Sequence, residues 1–375
     1  MRSAPAPQPD GFDVVCVGET MAMFTPADGQ PLATRPRVAM EIGGAESNVA
    51  CGLAALGHRV AWLSRVGADP FGDAILAELG ARGVDVSGVE VDPAGRTGVY
   101  FKDPAPSGTT VYYYRSGSAA SAMGPAIALA ADSAARRARV VHVSGITAAL
   151  SGSCVALLEA VVLQRAAGDA LVSFDVNYRP KLWSPSAAAP VLLRLARAAD
   201  LVFVGLDEAV TLWQVGGAHQ LCELMSGVGL LVIKDAERGA ISNSAEEGEI
   251  EVPAPAVEVV EPVGAGDAFA AGYLSALLAR RDAVTRLRTG HLMAAAALRS
   301  VGDLADAPPR ELLERQLALD EAAWAALRIP GSGAGAGAGD DLVGHRDVAA
   351  SGVGVRADGV GAGDQLPGDV VGERR

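Results

Sequence analysis

A mostly parallel β-sheet covered by helices on both faces is the fold class this sequence predicts, and three observations carry the expectation. Near-continuous apolar β-rich runs such as Leu230-Leu231-Val232-Ile233 alternate with helix-length segments, the pattern of an α/β protein whose ligands lie at the carboxyl ends of its strands. The chain has 375 residues and is 50% hydrophobic, enough to bury one large core or two smaller ones. A glycine-bracketed turn, Gly264-Ala265-Gly266-Asp267, delivers a carboxylate onto the first turn of an apolar helix.

In chain order, residues 1–11 are rich in Pro and Ala and read as unstructured. Order begins at Phe12-Asp13-Val14-Val15-Cys16-Val17-Gly18, a β-rich run closed by a turn. Further strands are expected at Arg59 to Leu63, Val140 to Val143, Leu171 to Asp175, Leu201 to Val204 and Leu230 to Lys234. Helices are expected over about 46–57, 72–82, 152–167, 187–199, 207–226, 267–280 and 284–299. Two segments, about 21–42 and 96–118, break the alternation with period-two character. The second reads Thr97-Gly98-Val99-Tyr100-Phe101-Lys102, a Pro/Gly/Ser turn, then Thr109-Thr110-Val111-Tyr112-Tyr113-Tyr114-Arg115, a β-hairpin. Three adjacent tyrosines in a chain with 5% aromatics suit a lid over a site; a plain edge hairpin is the alternative. From about residue 327 the sequence is Gly/Ala/Asp/Val-rich without periodicity, so 327–375 reads as a disordered tail.

Composition excludes several classes. A net charge of −13 lacks the clustered Lys and Arg that nucleic acid or an anionic membrane requires. Cys16, Cys51, Cys154 and Cys222 lie far apart with no Cys-x-x-Cys pair, which reads as reduced, buried thiols rather than a zinc site or disulfides. Met1-Arg2-Ser3-Ala4-Pro5-Ala6-Pro7 has no apolar signal region and no membrane-length run follows, so a cytoplasmic location is expected.

The chemistry-bearing feature is the Gly264 turn. Glycines there let successive N–H groups converge on an anion at the positive end of the helix dipole, and Asp267 would sit beside it as a proton acceptor. That is an arrangement for phosphoryl transfer. The same four letters recur at Gly337 to Asp340 and Gly361 to Asp364, where no long apolar helix follows, so context and not the tetrapeptide carries the reading. An N-capping aspartate on a buried helix is the competing reading of Asp267.

Together with other punctuated segments, the chain over residues 12–318 resembles the ribokinase-like, or PfkB, sugar kinases. Gly43-Gly44-Ala45-Glu46-Ser47-Asn48-Val49-Ala50 is similar to that family's amino-terminal Gly-Gly segment, and Gly67-Ala68-Asp69-Pro70-Phe71-Gly72 to its following turn. Glu261-Pro262-Val263-Gly264-Ala265-Gly266-Asp267 resembles the carboxy-terminal signature. The resemblance implies a three-layer α/β/α sandwich with a mostly parallel central sheet and a small β-hairpin lid. Tyr113 to Ser121 and Asp175-Val176-Asn177-Tyr178-Arg179-Pro180-Lys181-Leu182-Trp183 are similar to the 2-keto-3-deoxygluconate kinases within it.

What the resemblance implies is ATP-dependent phosphorylation of 2-keto-3-deoxy-D-gluconate at the 6-hydroxyl, with Mg²⁺ and an open question over a monovalent cation. Gly44, Tyr100, Tyr114, Arg115, Arg179 and Asp303 match sugar-acid positions, and the two arginines could form the cationic fork that a carboxylate needs. Tyr100 and Tyr114 also read as cross-strand packing partners, and Asp303 as a loop aspartate. Gly264, Ala265, Gly266 and Asp267 match the catalytic turn; Asn177, Lys234, Gly239, Gly264, Gly266 and His291 match the nucleotide side. Lys234 reads equally as the end of a strand, and His291 as a packed helix residue. Two departures stand out: Ala236 replaces a usual glycine, and Gly205-Leu206-Asp207-Glu208 lacks the asparagine of an Asn-x-x-Glu motif. Glu208 remains to organise magnesium through water. The expected partners are a small sugar acid and ATP, with a homo-oligomer implied by the family, and no nucleic acid or membrane. The rival readings are a kinase of a neutral sugar, fructokinase or ribokinase, and an inactive sugar- or nucleotide-binding regulator.

Overall fold

The computed structural model describes residues 4–7, 10–105, 108–130, 133–300, 302–304 and 306–330. The strands are β1 Phe12–Val17, β2 Met21–Pro26, β3 Val38–Gly43, β4 Val60–Leu63, β5 Arg65–Gly67, β6 Val84–Asp85, β7 Glu90–Asp92, β8 Val99–Asp103 and β9 Thr110–Tyr114. They continue as β10 Ala138–Ser144, β11 Leu171–Asp175, β12 Leu201–Gly205, β13 Leu230–Asp235, β14 Gly239–Ser244 and β15 Gly248–Pro253, with a short pair β16 Ala256–Val257 and β17 Arg328–Ile329.

Nine strands form the central sheet in the order β15-β14-β13-β12-β11-β10-β1-β4-β6. All neighbours pair in parallel except β13 with β14 and β14 with β15. Every residue of β11 and β12 is buried, which is why these strands read as unbroken apolar runs. Two hydrophobic clusters fill the faces, one around Leu157, Phe174 and Leu192, the other around Trp62, Phe203 and Tyr273. The sheet and its two helical layers make a three-layer α/β/α sandwich, as expected.

Strand order reverses at β1, which lies between β10 and β4, so the loops leaving β1 and β10 part there and open a crevice. Over it stands a second sheet, β3-β2-β8-β9. The hairpin expected over 96–118 is its β8–β9 half, and the period-two segment 21–42 supplies β2 and β3.

The helix Ala265–Leu278 is buried nearly all round and packs against the helices Ala45–Ala55 and Ala283–Leu298. Glycines allow the approach: a Cβ on Gly52 would lie 2.8 Å from Ala271 Cβ, and one on Gly272 would lie 2.5 Å from the Thr289 carbonyl. This contact sets residues of the 45–55 helix directly beside the start of the 265–278 helix.

Several boundaries differ from expectation. The helix expected over 207–226 is two, Leu206–Trp213 and Ala218–Leu224, because Gln214 turns left-handed at φ 55° and Gly217 at φ 159° precedes the second. The antiparallel hairpin β14–β15 stands where no strand was expected. The ordered domain runs past 318: Trp324 is buried and donates its Nε1–H to the Pro253 carbonyl, and Arg328–Ile329, inside the expected tail, pairs with β16. The rest of that tail, 331–375, lies outside the described residues. At the other end, within the segment read as unstructured, the Pro5 carbonyl accepts a bond from Arg139 Nε.

Candidate active site

Gly264 caps the 265–278 helix at φ 84°, a left-handed conformation, and a Cβ there would come within 2.6 Å of the Asp303 carbonyl oxygen. Only glycine meets both demands. The first-turn N–H groups of Ala265, Gly266 and Asp267 have no partners within the helix and lie at its positive end, Ala265 N–H making only a long 3.4 Å bond to the Pro262 carbonyl. Asp267 is 8% exposed. Asn48 Nδ2 donates to its Oδ2 at 2.9 Å and Asn177 Nδ2 to its Oδ1 at 3.4 Å. Burial pushes Asp267 up to about 7, against the pull of the Asn48 bond, Arg179 and Lys234, with Asp175 adding to the rise. A carboxylate near neutrality and aimed by two amides is matched to proton acceptance at physiological pH.

One wall beside Asp267 carries Lys234, Asp175, Glu208 and Asn177. Lys234, at the end of β13, donates to Asp175 Oδ2 at 2.8 Å, and its Nζ would be 3.4 Å from a Cβ on Gly266, so it lies against the catalytic turn rather than only ending a strand. Burial acts to lower its pKa, but Asp175 and Glu208 more than offset that and hold it charged. Glu208 accepts from the Gly205 N–H at 3.0 Å, lies 3.6 Å from Arg179 Nη1, and is pushed up to about 7 by burial. Asn177 is left-handed at φ 39°, and its Oδ1 is buried without a partner. Gly205, where the asparagine is missing, has Asp207 Oδ1 2.6 Å from the place of a Cβ. Ala236 holds φ 47°, the conformation that the usual glycine there would adopt freely. Gly239, at φ 147°, leaves no room for a Cβ, which would meet the Val252 carbonyl at 2.4 Å.

His291 does not reach this wall. It is buried, edge-on to Phe269 at 5.2 Å between ring centroids, with Nε2 3.1 Å from the Val252 carbonyl oxygen, and burial lowers its pKa to about 4. Helix packing places it in the core, which corrects its assignment to the nucleotide.

Facing Asp267 across a cavity of about 400 Å³ is the inner side of the lid sheet. Tyr100 Oη donates to Asp303 Oδ2 at 2.6 Å, and Lys102 Nζ to Asp303 Oδ1 at 2.7 Å. Gly43 and Gly44 allow the close approach: a Cβ on Gly43 would fall 2.1 Å from Tyr100 Oη, and one on Gly44 would fall 2.3 Å from the Glu19 carbonyl oxygen. Arg115 and Arg179 both line the cavity, from different loops. Arg115 is ion-paired with the buried Glu19, which also accepts from Ser118, so it is not a free cation. Arg179 is half exposed and, among the described residues, meets Glu208 and the Tyr178 carbonyl.

Tyr114 is a correction. It is 66% exposed and packs edge-on against Phe101, on the far side of the lid sheet. Tyr113 lines the cavity instead, because it pairs with Tyr100 and strand alternation gives both the same face. The residues sequence reasoning missed are Asn48, Lys102, Glu19 and Asp175. Lys102 shares the period-two face of Tyr100, so alternation alone could have placed it inward.

A lidded α/β/α sandwich with a buried carboxylate at a glycine-capped helix start, beside a cavity of about 400 Å³, is the layout expected of a carbohydrate kinase. The family model for the pfkB carbohydrate kinases matches residues 12–310, and the chain belongs to that family. It is 36% identical over 311 residues to the 2-dehydro-3-deoxygluconokinase of Bacillus subtilis (strain 168), covering 80% of this chain and 94% of that one. It is 33% identical to the 2-dehydro-3-deoxygalactonokinase of Haloferax volcanii, covering 80% and 95%, and 33% identical to fructokinase-2 of Zea mays, covering 72% and 81%. The crystal structure of a PfkB protein from Polaromonas sp. JS666 superposes with a TM-score of 0.72 at 34% identity, covering 81% and 99%.

Proposed function

We propose that this kinase transfers the γ-phosphoryl group of ATP to the 6-hydroxyl of 2-keto-3-deoxy-D-gluconate, giving 2-keto-3-deoxy-6-phosphogluconate. The observation that carries the reading is that Arg179, half exposed, opens into the cavity that Asp267 lines, with Arg115 lining it from a separate loop against Glu19. Asp267 takes the proton from the 6-hydroxyl as that oxygen forms its bond to the γ-phosphorus, the bond to the ADP oxygen breaks, and the proton leaves Asp267 after release of product. The first-turn N–H groups of Ala265, Gly266 and Asp267, together with Lys234, meet the charge spread over the transferring group. The lid sheet excludes water that would compete as nucleophile. Tyr100, Asp303, Gly44 and Arg179 would hold the sugar.

Magnesium fits the residues present: Glu208 would hold the ion through water, Asn177 Oδ1 is a buried oxygen without a hydrogen-bond partner, and one or two carboxylates suffice for the ion. When bound, it neutralises phosphate charge as the bond breaks. Adenosine is left to the β13–β14 turn around Gly239, with His291 set aside.

A neutral-sugar kinase is the second reading, favoured by one observation: Glu19 already neutralises Arg115. ADP release measured over 2-keto-3-deoxygluconate, its galactonate epimer, fructose and ribose separates the two. Preference for the acid sugars supports the proposal, and equal or better turnover of fructose or ribose overturns it.

A further inference from the structure

Lys102 lies in the lid strand β8, yet its side chain is 2% exposed. Its Nζ meets Asp303 Oδ1 at 2.7 Å and Glu261 Oε2 at 3.3 Å. These partners come from two different segments. Glu261 opens the run that leads into Gly264, and Asp303 follows the 283–298 helix. The backbone carbonyl of Asp303 is the surface on which Gly264 rests, since a Cβ on Gly264 would be 2.6 Å away. One ammonium group therefore ties the lid to both flanks of the catalytic turn.

The charges around it make the tie strong. Asp303 and Glu261 face the ammonium directly, and Glu41 of β3 presses on the next residue of the same loop, with Oε2 2.6 Å from the place of a Gly302 Cβ. Tyr100, two residues earlier on β8, donates to the other Asp303 oxygen. Burial acts to lower the pKa of Lys102, but Asp303 and Glu261 more than offset it, so the group stays charged. Without that charge, carboxylates from the two flanks would face each other in a buried site and repel.

We propose that Lys102 is a positioning residue for phosphoryl transfer, clamping Asp303 and Glu261 so that the seating of the lid and the geometry of the Gly264 turn are set together. The clamp rests on the reading of Asp267 as base and Asp303 as sugar contact. It acts on the turn rather than on ATP, so its loss falls on kcat and on the KM for sugar.

The test uses the full chain and reads kcat, both KM values and melting temperature. Lys102→Met keeps the length and removes the charge; it should lower kcat about 10- to 100-fold, the scale of a small misplacement of reacting groups, with the KM for ATP within about twofold. Lys102→Arg should recover most of the loss. Lys102→Met with Glu261→Gln should recover several-fold over Lys102→Met alone, since one of the opposed carboxylates is gone. A drop in melting temperature with parental kcat, equal losses in Lys102→Arg and Lys102→Met, or no recovery from Glu261→Gln overturns the proposal. If Lys102→Met does not fold, Glu261→Gln alone carries the test: a kcat lowered about two- to fivefold supports the clamp, and parental kcat overturns it. Asp303→Asn read in the same assay separates the failures. Parental kinetics there sink the sugar contact, whereas an impaired Asp303→Asn beside a parental Lys102→Met sinks only the clamp.

Discussion

The two walls that meet at Asp267 are built on different electrostatic plans. On the sugar side each buried carboxylate touches a cation: Glu19 meets Arg115, and Asp303 and Glu261 meet Lys102, with Tyr100 closing on Asp303. On the proposed nucleotide side three carboxylates again face two cations, but less closely. Asp175, Glu208 and Asp267 share Lys234 and the half-exposed Arg179, burial lifts Glu208 and Asp267 to about 7, and Asn177 Oδ1 lacks a partner. The difference teaches where binding completes the site. The sugar wall is paired in advance, whereas the proposed nucleotide wall keeps two carboxylates that burial raises to about 7, where a magnesium ion would supply the positive charge.

The largest expected effect comes from removing the group between the walls. Asp267→Asn should fold and lose on the order of 10²- to 10⁴-fold in kcat, the usual worth of a positioned base; near-parental turnover would refute its role. Stability should move the other way. The folded pKa of Asp267 is raised from 3.8 to about 7, so its contribution to stability is present in full below pH 4 and is lost as pH rises through 7. At pH 8 Asp267→Asn should therefore melt higher than the parent, by ~1.4 kcal/mol for each pH unit that separates the folded from the unfolded titration, and the gain should vanish near pH 4. Ionisation of the same group predicts a parental kcat that falls tenfold per pH unit below about pH 7. Glu208 titrates in the same range, so Glu208→Gln should sharpen that limb; a flat profile from pH 5 to 8 would contradict both.

The arginines are the next test, because one belongs to each plan. Arg179→Ala removes a half-exposed cation that leaves little behind, and should cost acid-sugar kcat/KM about 10- to 100-fold with a much smaller loss on fructose. Arg115→Ala strands the buried Glu19, so a stability loss of about 3–5 kcal/mol should accompany any kinetic one. Glu19→Gln added to Arg115→Ala should restore the melting temperature without restoring acid-sugar preference. If both arginine variants lose fructose and acid sugar alike, the neutral-sugar reading gains.

The same contrast explains what the sequence made legible. Asp267 and Gly264 were readable because a turn and the helix it opens are local, and the alternating runs pointed to the central sheet for the same reason. The ties that finish the site span the chain: Asn48 reaches Asp267 across 219 positions and Lys102 reaches Asp303 across 201. Which residues meet at that range depends on packing, here on glycines 52 and 272 letting three helices close together. Choosing Tyr114 over Tyr113 as the inward residue fails because the strand's phase is fixed by its pairing with β8, which sequence spacing leaves open. Gln214 adopting a left-handed turn is another tertiary choice, since its residue type predicts continuation of the helix.

The smallest expected effect tests whether the departure at Ala236 belongs to the nucleotide wall's chemistry or only to its backbone. Ala236 is exposed and sits at φ 47°, where a Cβ costs roughly 1–2 kcal/mol. Glycine removes that strain but adds about 0.4–1 kcal/mol of conformational freedom to the unfolded chain. Ala236→Gly should therefore stabilise by at most about 1.6 kcal/mol, a rise of roughly two or three degrees in melting temperature for a chain of this size. Because the left-handed turn is already formed, the KM for ATP should stay within about twofold, well under the tenfold that ~1.4 kcal/mol of binding would give. A KM lowered fivefold or more would show that the methyl group itself obstructs the nucleotide, moving the departure from backbone geometry to the binding surface.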